Sequence, residues 1–315
     1  MSFLSTAVQS VLEQGPFCAV ATTTDRGPHC TPLVFAYSGS RIWLTTSRRS
    51  VKARAWRNDP TVAGLVRDGD LSVTFTGTVR TYDALDRSTW GAAVAGATSI
   101  ARATATFSRK NARFFAGYAF DAKQVPLAWT PPGRVFVGVD LERTAMLDAD
   151  GVEEGRGRWG GEPASHATFR RSAKGSDPLA VLPDDVSEVL GRDGLGSLAL
   201  VGERGPVVLP VRWRADDTAL YAALPAETLA LADAGADVAA ALTVDTPSIW
   251  RARDMVGAMF QGQAASFVDG VVGSGAKTAM AIARGIDPDA DALVRVSPSR
   301  AVWWQGWSSG SADLP

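Results

Sequence analysis

The sequence has 315 residues, enough for two domains at the usual size of about 100–200 residues each. Apolar residues make up 46% and charged residues 21%, which is ordinary for a globular protein and excludes a disordered or collagen-like chain. The 32 basic and 33 acidic residues leave a net charge of −1. No global positive field is therefore available to hold nucleic acid or an anionic membrane, and we expect a small-molecule partner and only local anion sites.

Cysteine and histidine are scarce. Cys18 and Cys30 are the only cysteines, and His29 and His166 the only histidines. This supply excludes a disulfide scaffold and predicts no metal site. The N-terminus shows no signal peptide, and no run of 18 apolar residues occurs, so with free thiols we expect a cytoplasmic protein.

The first 80 residues alternate between short strand patterns and turns. Period-2 runs bounded by Gly, Pro, Asp and Ser indicate strands, and apolar residues at helical spacing indicate helices. This pattern predicts helices over 4–14 and 51–58, and strands over 17–24, 29–37, 41–46, 62–67 and 71–80.

The next residues divide the chain. Ala-rich stretches over 86–120 predict one or two helices packed on a barrel, and 135–141 predicts a closing strand. Residues 148–178 carry six glycines and many charges, which predicts a linker or a long exposed loop. The expected domains are therefore 1–147 and 179–315.

The second half repeats the first. Arg26-Gly27-Pro28 with Pro32 recurs as Arg204-Gly205-Pro206 with Pro210, at a constant offset of 178. Later matches pair Phe75-Thr76-Gly77 with Phe260-Gln261-Gly262, and Arg143 with Arg300. An internal repeat of this length means one fold used twice. We expect a mainly β (α+β) protein of two barrels with peripheral helices, packed as a fused dimer.

The segment 44–52, LTTSRRSVK, is the most informative for function. Hydroxyl residues end a strand just before a helix begins, and helix N-termini suit phosphate groups. Thr45, Thr46 and Ser50 can donate hydrogen bonds, and Lys52 with one of Arg48 or Arg49 can supply charge. The alternative is a Ser N-cap on a solvated basic helix.

With "ATTTDRGPHCTPLVF" before it, this segment resembles the FMN-binding split β-barrels of the pyridoxamine 5′-phosphate oxidase-like superfamily. The resemblance covers 17–80, and returns more weakly over 195–268 and in "VRVSPSRAVWWQGW" at 294–307. It implies split barrels with FMN in the groove between two of them.

The resemblance also implies which residues hold FMN. The phosphate falls to Thr45, Thr46, Ser50 and Lys52, helped by a second-strand position that is Thr31 here instead of a basic residue. Ser72 lies on the strand that runs beneath the flavin ring in relatives. Trp304 and Gln305 match the Trp-Gln-Gly segment that the partner barrel contributes. The alternative for Trp304 is an ordinary apolar strand end.

The two copies differ at these positions. Copy two aligns Ala230 with Lys52 and Glu227 with Arg49, so it lacks the phosphate half. Copy one ends Met146-Leu147-Asp148 and lacks Trp-Gln-Gly. One cofactor site per chain is expected, in a monomer whose two barrels form an intramolecular pseudo-dimer.

The predicted function is an FMN-dependent oxidoreductase acting on an unidentified small molecule. No catalytic residue can be assigned, because the cofactor carries the chemistry. Vitamin B6 phosphate is not the expected substrate, since Trp307-Ser308-Ser309-Gly310 replaces the Arg/His motif of that oxidase. The alternatives are an F420-dependent reductase of the same fold, which needs more positive charge along the groove, and a non-catalytic barrel that carries flavin or haem. His29 is either a half-exposed strand residue or part of the groove.

Overall fold

The computed structural model describes residues 4–121, 133–166, 168–169, 177–271 and 275–314, and it contains two antiparallel β-barrels. Helices lie at the periphery of both. The expected mainly β fold of two split barrels is confirmed.

The first half opens with a helix and continues as a meander with one short helix inside it. Its strands are β1 (Cys18–Thr24), β2 (Gly27–Leu33), β3 (Phe35–Ser38), β4 (Arg41–Ser47), β5 (Thr61–Asp68), β6 (Leu71–Tyr82), β7 (Arg134–Leu147) and β8 (Val152–Arg156). Its helices are α1 (Thr6–Gln14), α2 (Val51–Ala55), α3 (Trp90–Ala95), α4 (Ala97–Lys110) and α5 (Ala112–Phe120).

Strands pair in the order β2-β1-β5-β6-β7-β4-β3, and β8 adds to β7. Only Val34 separates β2 from β3, so one stretch of chain pairs with β1 at its start and with β4 at its end. This shared stretch closes the barrel around a core of buried aliphatic and aromatic residues.

The second half repeats this arrangement. Its strands are β9 (Asp193–Gly202), β10 (Gly205–Ala215), β11 (Leu220–Leu224), β12 (Asp237–Thr246), β13 (Val256–Val268), β14 (Ala292–Gln305) and β15 (Ser308–Asp313). Its helices are α6 (Asp184–Leu190), α7 (Ala226–Ala230) and α8 (Ala276–Ile286). β11 pairs with both β10 and β14, which closes six strands, and β15 adds to β14 as β8 adds to β7.

Both copies carry the same irregularity. The register between β6 and β7 shifts at Thr76/Gly77, and that between β13 and β14 shifts at Gln261/Gly262. A Cβ at Gly77 would meet the carbonyl oxygen of Asp140, and one at Gly262 would meet that of Ser297. Glycine is therefore required at both bulges, and the repeat extends to local backbone geometry.

The barrels face each other through a layer of small and flexible apolar residues. Its members, which we call the inter-barrel cluster, are Ala21, Cys30, Ala63, Leu65, Ala199, Val208, Ala241 and Met259. Buried hydrogen bonds cross it: Thr74 Oγ1 donates to the Val208 carbonyl at 2.6 Å, and Thr243 Oγ1 to the Cys30 carbonyl at 2.9 Å. Since unpaired buried polar groups are costly, these bonds fix how the barrels pack together.

Residues 148–178 are more than a linker. They contain β8, and beyond it Trp159 packs against the core of the second barrel and Phe169 is buried. Gly151, Gly157 and Gly160 serve turns and close packing rather than exposure. Residues 167 and 170–176 of this stretch lie outside the described residues, and the domain boundaries stay a prediction.

The helical insertion over 86–120 packs on the first barrel and reaches the second. Phe107 and Phe114 form a cluster with Ala252 of the second half, and Arg253 lies 3.6 Å from Asp121. Within the described residues, no helix is long and apolar enough to cross a membrane.

Candidate functional site

The predicted phosphate segment lies where β4 ends and α2 begins. Ser50 is the N-cap of α2, and its Oγ accepts a hydrogen bond from Ala53 N at 3.1 Å. Thr46 Oγ1 donates to the same Ser50 oxygen, also at 3.1 Å. The capping role is therefore real, and Thr46 and Ser50 form one hydroxyl pair.

Lys52 is the unusual residue of this segment. Its side chain is only 3% exposed, and its Nζ donates a hydrogen bond to Thr31 Oγ1. Burial lowers the pKa of Lys52 to about 8. Within the part of the chain that the structure describes, no carboxylate lies within ion-pair distance of Nζ. A buried ammonium group without a carboxylate partner is costly in a ligand-free protein and well suited to an anionic ligand.

Other members of the segment have protein partners. Thr45 Oγ1 accepts from Arg134 Nε at 3.0 Å, and the Thr45 carbonyl accepts from Arg134 Nη2 at 2.8 Å. Arg48 forms an ion pair with buried Asp83. The structure thus pairs Thr46 with Ser50 and Lys52 with Thr31 around the start of α2, and it directs Thr45 toward Arg134.

A groove between the barrels lies beside this cluster. Its volume is about 900 Å³, and we call it the open groove. The first barrel lines it with the β1–β2 turn and one face of α2, and the second with β13, β14 and β15. Its polar lining comprises Thr23, Thr24, Asp25, Arg26, His29, Arg54, Asn58, Asp59, Gln261, Arg300, Ser309 and Ser311.

His29 joins the groove to the lysine. It lies two residues before Thr31 on β2, so both side chains are on one face of the strand. Burial, followed by the charges of Lys52 and Arg300, lowers the pKa of His29 to about 3. The imidazole is therefore neutral at physiological pH and offers hydrogen bonds rather than charge.

Three arginines of the groove escaped the sequence-based site prediction. Arg26, Arg54 and Arg300 line it from a turn, a helix and a strand of the other barrel. They lie far apart in the sequence, so the sequence alone did not show that they line one groove. The signal that could have found two of them was the repeat, which already matched Arg26 with Arg204 and Arg300 with Arg143.

Trp304 lies on the same face of β14 as Arg300 and Val302, since alternate residues share a face. It is half-buried against the inter-barrel cluster. Its indole covers Gly257 on β13, where a Cβ would clash with the ring. Gln305 is exposed at the end of β14. Trp304 therefore faces the first barrel, next to the groove-lining residues.

Ser72 lies elsewhere. It lines a smaller groove of about 230 Å³ on the other side of the pseudo-dimer, together with Pro225 and Thr228. Four aspartates line this space, Asp70, Asp148, Asp287 and Asp289, against two arginines, Arg67 and Arg212. The structure thus separates Ser72 from the Lys52 cluster and places it in surroundings that disfavour a phosphate.

Copy two also differs in helix register. Its N-cap is Pro225, so the connection from β11 to α7 is shorter than that from β4 to α2. Counted from the caps, Lys52 corresponds to Glu227 rather than to Ala230. The buried residue beside Glu227 is Thr228, whose Oγ1 has no hydrogen-bond partner in the described chain. Copy two therefore places a carboxylate and no cation on this helix.

The first barrel is similar to a known protein family. Residues 4–125 match the family model described as pyridoxamine 5′-phosphate oxidase. This match over the first barrel confirms the resemblance recognised from the sequence. A search of curated proteins found no match.

Among solved structures, the chain is similar to an FAD-binding protein from Mesorhizobium loti, with 19% identity, coverage of 45% of this chain and 94% of the other, and a TM-score of 0.34. It is similar to a pyridoxamine 5′-phosphate oxidase-related, FMN-binding protein from Nostoc punctiforme, with 17% identity, coverage of 49% and 90%, and a TM-score of 0.33. A protein named F420 reductase matches with 20% identity, coverage of 45% and 98%, and a TM-score of 0.30.

Proposed function

We propose that this protein is an oxidoreductase that holds one FMN per chain in the open groove and acts on a small molecule. The observation that carries the proposal is buried Lys52, an ammonium group bonded to Thr31 with no carboxylate nearby in the described chain. A phosphate monoester would supply the missing negative charge. It would also accept hydrogen bonds from the Thr46–Ser50 pair after small side-chain rotations.

The donor set fits a phosphate better than it fits a neutral ligand. Thr31, Thr46, Ser50 and Lys52 provide three hydroxyls and one cation in two hydrogen-bonded pairs around the start of α2. Binding a dianion would raise the pKa of Lys52 from about 8, because an opposite charge favours the ammonium form. Thr31 supplies a hydroxyl where relatives use a basic residue, so Lys52 carries most of the charge attraction.

The second barrel would hold the ring. Trp304 faces the first barrel beside Val302 and offers a flat aromatic surface. Gln305 is exposed at the strand end, where its side-chain amide could hydrogen-bond to the ring. When bound, the flavin supplies the redox chemistry. The residues of the chain bind the phosphate, orient the ring and exclude water from one of its faces.

A second candidate cofactor is F420, and one observation favours it. Arg26, Arg54 and Arg300 extend the positive charge of the site well beyond Lys52, against Asp25 and Asp59 in the same groove. A deazaflavin with a long anionic tail uses such charge, whereas FMN ends at its phosphate. The sequence alone did not reveal this charge.

The absorption spectrum of the purified protein separates the candidates. A flavin band near 450 nm supports FMN, a band near 420 nm without the flavin shape supports F420, and a Soret band would indicate haem. Mass spectrometry of the released ligand identifies it. If flavin binds but is neither reduced nor reoxidised by any donor–acceptor pair, the protein is a flavin carrier rather than an enzyme.

Titration with FMN tests the placement. Lys52→Met should weaken binding by about 10–150-fold, because one charge-assisted contact contributes about 1.5–3 kcal/mol. Lys277→Met, on the exposed face of α8, is the matched control and should bind like the wild type. Equal FMN affinity in both variants would show that the phosphate does not bind at Lys52. A stoichiometry of two FMN per chain would contradict the single site.

A further inference from the structure

The second barrel has its own counterpart of the open groove, and the chain fills it. Residues 158–164 follow β8 and lie along the outer face of α7, and we call them the plug. Gly160 packs so closely on the Ala230 carbonyl that a Cβ would collide with it. Residues 162–164 line a small cavity together with Leu229 and Ala230 of α7 and with strands of the second barrel.

The plug is held by two arginines. The guanidinium of Arg143 lies 4.8 Å from the centre of the Trp159 ring, and Trp159 Nε1 donates to the Thr144 carbonyl at 3.2 Å. Arg204 Nη1 donates to the Arg158 carbonyl at 3.0 Å. One arginine therefore stacks on a planar ring, and the other bonds a neighbouring oxygen.

These arginines are the repeat partners of two arginines in the open groove. Arg143 and Arg300 lie opposite the residues that precede the two matching bulges, Thr76 and Gln261. Arg26 and Arg204 each precede the positive-φ glycine of the first hairpin turn, Gly27 or Gly205. Each pair therefore has the same place in its barrel.

The open-groove arginines lack what the plug provides. Arg300 Nη2 donates to Ser311 Oγ at 2.9 Å, and each of Arg300 and Arg143 keeps one buried nitrogen without a hydrogen-bond partner in the described chain, so the ring contact is what distinguishes them. Arg26 lies 3.8 Å from Asp313, and both side chains are largely exposed. Among the described residues, no aromatic side chain stacks on Arg300 as Trp159 stacks on Arg143.

We propose that the open groove binds a ligand group that the plug imitates: a planar aromatic ring stacked on Arg300, with an anionic or carbonyl oxygen at Arg26. The inference rests on the proposed function, because it assigns the part of that groove beyond the Lys52 phosphate. The ring has two sources. It is either the adenylate end of a dinucleotide cofactor or a separate planar anion bound beside FMN.

Titrations of the full-length protein with FMN, with FAD, and with AMP added to the FMN-loaded protein distinguish these sources. If the ring belongs to the cofactor, FAD binds at least tenfold more tightly than FMN, and Arg300→Met removes this advantage. If it is a separate ligand, FMN and FAD bind equally, AMP binds the loaded protein, and Arg300→Met weakens AMP at least tenfold. Arg300→Lys, which keeps the charge and loses the flat stacking surface, should retain only part of the affinity in either case.

Arg143→Met is the matched control. It removes the same side chain from the plugged copy, so it should lower the melting temperature and leave all three affinities unchanged. The proposal is overturned if Arg300→Met, shown to be folded by its melting curve, binds FAD and AMP like the wild type. Failure of the proposed function is a separate result: FMN would then not bind, or would bind equally to Lys52→Met. AMP titration of the ligand-free protein would in that case still test Arg300.

Discussion

The two grooves of this pseudo-dimer began from one fold and differ in what covers them. In the first, Arg26, Arg54 and Arg300 line a space of about 900 Å³ beside buried Lys52. In the second, the plug engages Arg143 and Arg204 and packs closely on the Ala230 carbonyl of α7. The second copy thus differs from the first in two ways: α7 carries no cation, and residues 158–164 pack on its outer face.

The comparison also explains the burial of charge in copy one. Counted from the helix caps, Lys52 corresponds to exposed Glu227, and the buried residue beside Glu227 is uncharged Thr228. A buried ammonium group destabilises a fold unless something offsets it, and a bound anion is a sufficient offset. No buried cation is found on α7, and the groove beside its first turn is lined by four aspartates.

Separating the barrels should have the largest effect. Residues 1–147 expressed alone would expose the inter-barrel cluster and leave the Cys30 and Pro28 carbonyls without the partners that Thr243 and Gln261 provide. We expect aggregation or self-pairing and only weak cofactor binding. Size-exclusion chromatography with light scattering measures this. A stable monomer that binds FMN like the full chain would contradict a cross-barrel site.

Replacing the buried cation should stabilise the ligand-free protein. The folded pKa of Lys52, about 8, is below its ordinary value, so between pH 8 and 10.5 the unfolded chain binds more protons than the folded one. Stability therefore rises with pH across this window, and below it the charged lysine costs about 3 kcal/mol. Lys52→Met should gain roughly that amount at pH 7 while it loses cofactor affinity.

Urea unfolding of ligand-free wild type and Lys52→Met, at pH 7 and pH 10, tests the sign. The difference between the two proteins should shrink as the pH rises, because the wild-type lysine loses its proton. Lys110, whose pKa burial also lowers to about 8, is present in both proteins and cancels in the difference. If the wild type is more stable than Lys52→Met at pH 7, an anionic group of the protein itself must offset the charge of Lys52.

Shortening the plug residue Trp159 should cost about 2 kcal/mol. Trp159→Ala removes a half-buried indole from the core of the second barrel together with its contact to Arg143. FMN stoichiometry should stay at one per chain, because α7 still carries Glu227 and no lysine. Denaturant unfolding and a flavin titration measure the two effects. The appearance of a second flavin would mean that the plug alone closes the second site.

The sequence predicted the barrel strands well because turns and alternation are local. The 29–37 strand proved to be two, β2 and β3, since Val34 bends the chain from one neighbouring strand to the other. The repeat was detected at its glycines, where backbone geometry admits no other residue. Gly27 and Gly205 have φ values of 91° and 96°.

The plug and the groove arginines could not be predicted in the same way. Glycines at 157, 160 and 161 were interpreted as signs of a flexible linker, although Gly160 is there because Ala230 leaves no room for a side chain. A tryptophan in this polar stretch was the available signal of packing. The position of Ser72 depends on which groove between the barrels its strand lines. That is decided by how the two barrels pack together, and a local sequence pattern does not contain this information.

The smallest expected effect concerns Trp304, whose counterpart in copy one is Leu147. The two residues occupy matching places, since Trp304 pairs with Gly257 and Leu147 with Ser72. Trp304→Leu thus gives the second barrel the residue that the first already uses, keeping an apolar side chain against the inter-barrel cluster. If the indole stacks on the flavin ring, affinity should fall by about 1 kcal/mol, or roughly fivefold, since aromatic pairs contribute about 0.5–1.5 kcal/mol beyond area burial.

The fluorescence of the bound flavin should rise at the same time, because a stacked indole quenches it. Leu147→Trp is the matched control and should change neither quantity, since Leu147 pairs with Ser72, which lines the groove with four aspartates rather than the open groove. Unchanged affinity and fluorescence in Trp304→Leu would leave Trp304 as an interface residue that does not touch the ring.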